Sequence, residues 1–354
     1  MAERSNFLNQ YKKNKSCNTF IIAEAGVHHD CNLNKAKELI DAATEGGADT
    51  IKFQTYKAET LVTHWAPTYW KQKKTGGYNT QFECFQKRDK FDFEDYQALY
   101  EYANKKGINF CSTPFDQQSV RWLNGIGIPF WKVASGDIDN YPLLEDIAKT
   151  QKPIILSTGA SYFEEIRNTV DFLKSKGVKE LALLHCTLSY PTSNKDANLS
   201  RIAALNSLFP EIIIGYSDHT IPDEAVLIPA IAVALGAKII EKHFTLDRCL
   251  PEDDHYHSID TTMLRQMINH IKLVEDATSL NVGIVASELP ARKHARRSLI
   301  AKETIPNGTV LSADMIIPKR PGEGISPSQI SKILGRKVNK TIEKDQQILW
   351  DFLE

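Results

Sequence analysis

Short β-branched runs alternate with stretches of helical spacing along most of this chain, and that alternation constrains the fold more than any other feature. The runs are Thr19–Ala23, Thr50–Phe53, Ile108–Ser112, Phe130–Ala134, Pro153–Ser157, Leu181–His185, Ile212–Tyr216 and Lys238–Glu241. Helical spacing follows nearly every one, over Leu33–Glu45, Phe93–Lys105, Gln117–Asn124, Pro142–Lys149, Tyr162–Ser175, Leu199–Leu208, Asp223–Leu235 and Thr261–Thr278. Continuous apolar strands joined by helices mean a parallel sheet covered by helices. Eight such units suit a closed (β/α)8 barrel better than an open doubly wound sheet, with seven or nine units as the rival count.

Two departures from this rhythm organise the rest. The connection from Thr55 to Asp92 is far longer than its fellows and rich in Trp, Tyr, Lys and Gly. It leaves the C-terminal end of a strand, so it reads as a lid over the site, with a floppy insertion as the competing account. After residue 280 the helical period is lost. Residues 281–296 read as a linker, and 297–354 as a small β-rich domain of short alternating strands and turns, near the smallest size that folds alone. The barrel domain is then 1–280.

Charge and composition narrow the function. Lys plus Arg number 43 against 44 Asp plus Glu, so no broad basic face for nucleic acid is expected. No apolar run approaches the roughly 18 residues of a membrane span. The polar, basic start from Met1 to Cys17 lacks the apolar core of a secretory signal. Six scattered cysteines without a CxxC pair suit reduced thiols. A cytoplasmic protein is expected.

In a barrel the residues to inspect are those at the C-terminal strand ends. Lys52 and Lys132 stand there with Thr113, Ser135, Ser157 and Ser217, a set that can hold an anion such as a phosphate. Structural ion pairs inside the barrel mouth are the competing account for both lysines. His219 and His243 end adjacent strands and suit a divalent metal with positions left for water and substrate. Hydrogen-bonded structural histidines are the alternative. Glu24 follows an apolar run, so desolvation would fit it for proton transfer, with an ion pair to Lys52 as the rival. GxxxxGK, GxGxxG, HExxH and the nucleophile elbow are all absent.

The segments IIAEAGVHHD, ADTIKFQTYKAE, FCSTPFD, WKVASGD, LSTGA, LHCTLSYPTS, GYSDHT, EKHFTLDR and KRPGEGISP resemble, in order and spacing, the sialic acid synthase family, from about Phe20 to the C-terminus. The resemblance implies a TIM barrel followed by an antifreeze-like (SAF) domain, and a transferase that condenses phosphoenolpyruvate with an open-chain N-acetylated hexose. It implies phosphoenolpyruvate contacts for Lys52, Thr113, Lys132, Ser135, Ser157 and Ser217, and a catalytic role for Glu24. It further implies sugar contacts for Gln54, Phe115, Asp137, Tyr190, Asp254 and Arg320, and a manganese or magnesium ion on His219 and His243. A domain-swapped homodimer follows in which Arg320 serves the partner's site. The chain departs from the pattern at His28, where Asn is usual, at Leu188, where a polar residue is common, and at Glu252-Asp253, where Gly-Pro is usual. A Schiff-base aldolase using Lys132 and a non-catalytic sugar-binding barrel are the alternatives, and ice binding by the tail is the weakest.

Overall fold

A computed structural model describes residues 7–8, 18–70, 77–251, 254–279 and 282–354. Two compact units divide the chain, Met1–Thr278 and Ser279–Glu354.

The first unit opens with β1 (Phe20–Gly26), α1 (Leu33–Gly46) and β2 (Thr50–Thr55). The long connection after β2 carries two short helices, α2 (Ala58–Leu61) and α3 (Gln81–Gln86). The units then repeat as α4 (Phe93–Lys106), β3 (Asn109–Pro114), α5 (Gln117–Ile126), β4 (Trp131–Val133), α6 (Tyr141–Lys149), β5 (Ile154–Ser157) and α7 (Phe163–Ser175). Next come β6 (Leu181–Cys186), α8 (Ser200–Leu208), β7 (Ile213–Asp218), α9 (Leu227–Ala234), β8 (Ile239–His243) and α10 (Thr261–Thr278). The eight strands are parallel, in the order β3-β2-β1-β8-β7-β6-β5-β4. β3 and β4, the ends of that order, lie against each other and close the barrel.

Local chemistry sets the element ends. The Asn32 side chain accepts from the backbone N–H groups of Asn34 and Lys35 and so starts α1, and Gly47, at φ 90°, ends it in the left-handed region that glycine enters without strain. Asp92 and Asp95 cap α4 reciprocally. Within β7, a side chain at Gly215 would meet the Ile239 carbonyl oxygen at 2.5 Å, so β7 and β8 approach closely only because it has none.

Burial then follows two layers. One joins the outward strand residues Ile21, Ile51, Phe53 and Ile240 to the helix faces carrying Leu39, Leu99 and Leu264. The other fills the barrel floor with Phe20, Ile22, Phe130, Ile155, Leu184 and Ile239, and Leu8 packs there as well. Each such side chain contributes about 1.5–3 kcal/mol through burial. Above that apolar floor the barrel interior turns charged.

The second unit holds α11 (Leu289–His294) and a two-stranded antiparallel sheet, β9 (Ser298–Ala301) with β10 (Ile316–Lys319), in register Ser298 to Lys319. Isolated bridges such as Ile305 to Ile342 extend the pairing around a core of Leu299, Leu311, Ile333, Val338 and Ile348. The segment read as a linker therefore contains α11 and belongs to this unit.

Candidate active site

Side chains alternate across a strand, so Lys52 and Gln54 on β2, and Glu241 and His243 on β8, face the same way. Register completes the arrangement, because Glu24 on β1 pairs with Lys52 on one side and His243 on the other. Lys52 Nζ lies 2.5 Å from Glu24 Oε2 and 3.8 Å from Glu241 Oε2, and donates to Thr113 Oγ1 at 3.1 Å. Lys132 Nζ donates to Ser157 Oγ at 2.8 Å and lies 3.4 Å from Glu241 Oε1. Ser217 Oγ donates to that same Glu241 oxygen at 2.9 Å, and Gln54 Nε2 donates to Glu24 Oε1 at 3.0 Å. Ser135 Oγ accepts the Gly159 N–H at 2.9 Å. The ion pair between Glu24 and Lys52, one of two accounts the sequence left open, is present.

Two cations and two carboxylates thus share a buried floor. Burial pushes the Glu24 carboxyl up; Lys52 opposes the rise and Glu241 adds to it, and the group stands at about 7. Burial acts on Glu241 too, but Lys132 and Lys52 outweigh it and hold that carboxyl below its ordinary range. For Lys52 the desolvation cost is overcome by Glu24 and Glu241, which raise its pKa. Lys132 is lowered by burial, despite Glu241.

The imidazoles stand beside this floor. His219 Nδ1 bonds the Thr187 carbonyl oxygen at 2.9 Å, which makes that nitrogen the donor and leaves Nε2 with its lone pair. The His219 and His243 rings are 5.3 Å apart, and Tyr190 packs on His219 at 4.2 Å. Burial lowers His219 to about 4 and takes His243 well below its ordinary value, so both are neutral at pH 7. Neutral imidazoles are the form that binds metal. Among the described residues no group of three or more His, Cys, Asp or Glu comes together to hold a metal. Two neutral imidazoles are a donor pair suited to a divalent cation, which would take its remaining ligands from water and substrate oxygens.

One cavity of about 400 Å3 collects these groups. Glu24, Lys52, Gln54, Thr113, Phe115, Lys132, Ser135, Asp137, Ser157, Tyr190, Ser217, His219, His243 and Asp254 all line it. The connection between β2 and α4 supplies a further wall from Leu61, Val62, Tyr69, Trp70, Phe85 and Arg88. Arg320 lies in the second unit, exposed just after β10. Glu252 and Asp253 fall outside the described residues.

Glu241 was not singled out by sequence reasoning, although it bridges both lysines. Its place two residues before His243 on a strand was the available signal, since period two puts both on one face. His28, Cys186, Leu188 and Arg88 also line the cavity.

A closed parallel barrel whose C-terminal mouth gathers buried lysines, carboxylates and neutral imidazoles belongs to the enzyme class of that fold. The chain belongs to the NeuB family: residues 39–282 match the NeuB family model and residues 296–354 the SAF domain model. The N,N'-diacetyllegionaminic acid synthase of Legionella pneumophila is 39% identical over 97% of this chain and 96% of its own. An uncharacterised protein of Methanocaldococcus jannaschii is 44% identical over 95% of this chain and 94% of its own. The crystal structure of the N-acetylneuraminic acid synthetase of Leptospira borgpetersenii, in complex with citrate, superposes with a TM-score of 0.69 at 37% identity, covering 78% of this chain and 91% of that one. Among the described residues no helix is long and apolar enough to cross a membrane.

Proposed function

We propose that this protein condenses phosphoenolpyruvate with the open-chain form of an N-acetylated hexose, releasing phosphate and a sialic-acid-type 2-keto-3-deoxy acid. The observation that carries the reading is the buried pair Lys52 and Lys132, each bonded to a hydroxyl and facing the cavity beside two neutral imidazoles. The two lysines, with Thr113, Ser135, Ser157 and Ser217, hold the phosphate and carboxylate of phosphoenolpyruvate. Gln54, Phe115, Asp137, Tyr190 and Asp254 hold the sugar, and Arg320 reaches it from the other copy in a homodimer. A manganese or magnesium ion on His219 and His243 would polarise the acceptor aldehyde.

Carbon 3 of phosphoenolpyruvate then bonds to the aldehyde carbon, and positive charge develops at carbon 2. Water adds there, and Glu24 takes its proton and passes it to the oxyanion left on the former aldehyde carbon. Cleavage of the bond between carbon 2 and the bridging oxygen expels phosphate, which carries off the proton of the carbon-2 hydroxyl as the ketone forms. Lys132 and Ser157 stay with the departing phosphate. The apolar wall of Leu61, Val62, Trp70, Phe85 and Leu188 suits a 2,4-diacetamido-6-deoxy hexose, whose methyl group needs no partner, better than N-acetylmannosamine. The name of the Legionella relative supports the same choice.

The test is phosphate release from phosphoenolpyruvate with manganese, across a panel of N-acetylated hexoses, repeated in excess chelator. Release with the diacetamido sugar, lost in chelator, is expected. Activity that survives chelator, with borohydride trapping of pyruvate on Lys132, would put a Schiff-base aldolase in its place. No release with any sugar would leave a barrel that binds sugars without catalysis.

A further inference from the structure

A metal-binding histidine normally donates its second ring N–H to a carboxylate, a carbonyl or water, and that bond fixes both its tautomer and its orientation. His219 meets this rule through the Thr187 carbonyl. His243 does not, since its Nδ1 is buried with no hydrogen-bond partner. What packs edge-on against it is the ring of His257, centroid 5.0 Å away and inclined by 61°.

His257 is itself unusual. It is 0% exposed and neither ring nitrogen has a hydrogen-bond partner. A phenylalanine would fill such a place without burying unpaired nitrogens, so stability does not account for an imidazole there. The backbone holds it in position: the Ile259 N–H donates to the His243 carbonyl at 2.8 Å, and the Thr245 N–H to the Ile259 carbonyl at 3.0 Å. His257 Nε2 also lies 3.8 Å from Asp254 Oδ1, a separation that a small ring rotation closes. Asp254 also lines the cavity.

We propose that His257 is a positioning residue for His243, linking that ring to the carboxylate of Asp254. A neutral imidazole has one donor and one acceptor. In this structure the two Nδ1 atoms are not yet bonded; a turn of the His257 ring that sets its Nε2–H on Asp254 offers His257 Nδ1 as an acceptor for the His243 Nδ1–H and leaves His243 Nε2 to the metal. The carboxylate at the far end makes His243 the more basic ligand, and a sugar seated on Asp254 is thereby coupled to the cation. This rests on the reading of His243 as a metal ligand.

The experiment measures manganese affinity of the full chain by the electron paramagnetic resonance of free Mn2+, with thermal midpoints recorded alongside. The variants are His257→Phe, His257→Gln, Asp254→Asn and His243→Ala. Expected is a 10- to 100-fold loss of affinity in His257→Phe with an unchanged or higher midpoint, substantial recovery in His257→Gln, and a smaller loss in Asp254→Asn. A purely structural histidine would lower the midpoint and leave the affinity alone. Wild-type affinity in both His257→Phe and Asp254→Asn, with the affinity lost in His243→Ala, would overturn the linkage while keeping the ligand. Wild-type affinity in His243→Ala would remove the ligand assignment and the linkage together.

Discussion

Glu24 lies 2.5 Å from Lys52 and 3.0 Å from Gln54, and both contacts favour its charged form, yet burial and Glu241 hold it at about 7. A carboxyl placed so changes charge in the working range of pH, which is what a proton-transfer group needs. Because the carboxylate is the form that takes the proton from water, kcat is expected to rise with pH through about 7 and then level. Glu24→Gln should keep the fold and lose about 10²–10⁴-fold in kcat, which steady-state kinetics with circular dichroism would check. Near-normal turnover in that variant would remove Glu24 from the chemistry. Glu241 poses the opposite problem, since its carboxylate occupies both lysines before any anion arrives. Glu241→Gln leaves the floor with a net positive charge. It should bind inorganic phosphate roughly tenfold more tightly by calorimetry, in keeping with the strength of charge pairs out of water.

At the scale of elements, the apolar runs located every barrel strand, but six of the eight stopped short at the mouth. The run at Ile212–Tyr216 is a strand from Ile213 to Asp218, and that at Lys238–Glu241 continues to His243. At the ends of these strands Ser217 and His243 are polar because they face the site, and Asp218 and Lys242 because they pair with each other, so a reading based on apolar continuity ends before them. The helix expected over Asp223–Leu235 begins only at Leu227, where Val226 adopts a left-handed backbone at φ 48°. Contacts between strands were less legible still: that Glu241 would serve both lysines depends on register from β8 through β1 to β2, and from β8 through β7, β6 and β5 to β4. One such pairing is structural. Lys242 on β8 lies 3.0 Å from Asp218 on β7, and both are 1% exposed. Asp218→Asn would leave a buried ammonium uncompensated and should cost about 3–5 kcal/mol in urea unfolding. Asp218→Asn combined with Lys242→Met should cost much less, because nothing charged is then left unpaired.

Across the whole barrel, the histidines near the mouth make stability depend on pH. Burial takes His28 and His29 down to about 3, with like charges on His255 and Arg88 adding to it for His28. In the unfolded chain both return to about 6.5. Above that value both states are neutral and the pair has no effect. As pH falls below 6.5, only the unfolded chain takes up protons, so stability is lost progressively toward pH 3. By linkage the two groups remove about 3 kcal/mol between pH 8 and pH 5.5. Urea midpoints over that range should fall accordingly, and the slope should be about one proton smaller in His28→Asn, the residue usual in the family. A flat profile would mean that these rings are protonated in the folded state.

The step on which the proposed chemistry turns is the loss of phosphate by cleavage at carbon. Phosphoenolpyruvate labelled with heavy oxygen in the bridge between carbon 2 and phosphorus tests it in one turnover, with mass spectrometry of both products. Cleavage at carbon predicts that all the label appears in the released phosphate and none in the keto acid. Label retained in the keto acid would mean that the phosphorus–oxygen bond breaks instead, and the proposed roles of Lys132, Ser157 and Glu24 would fall with it.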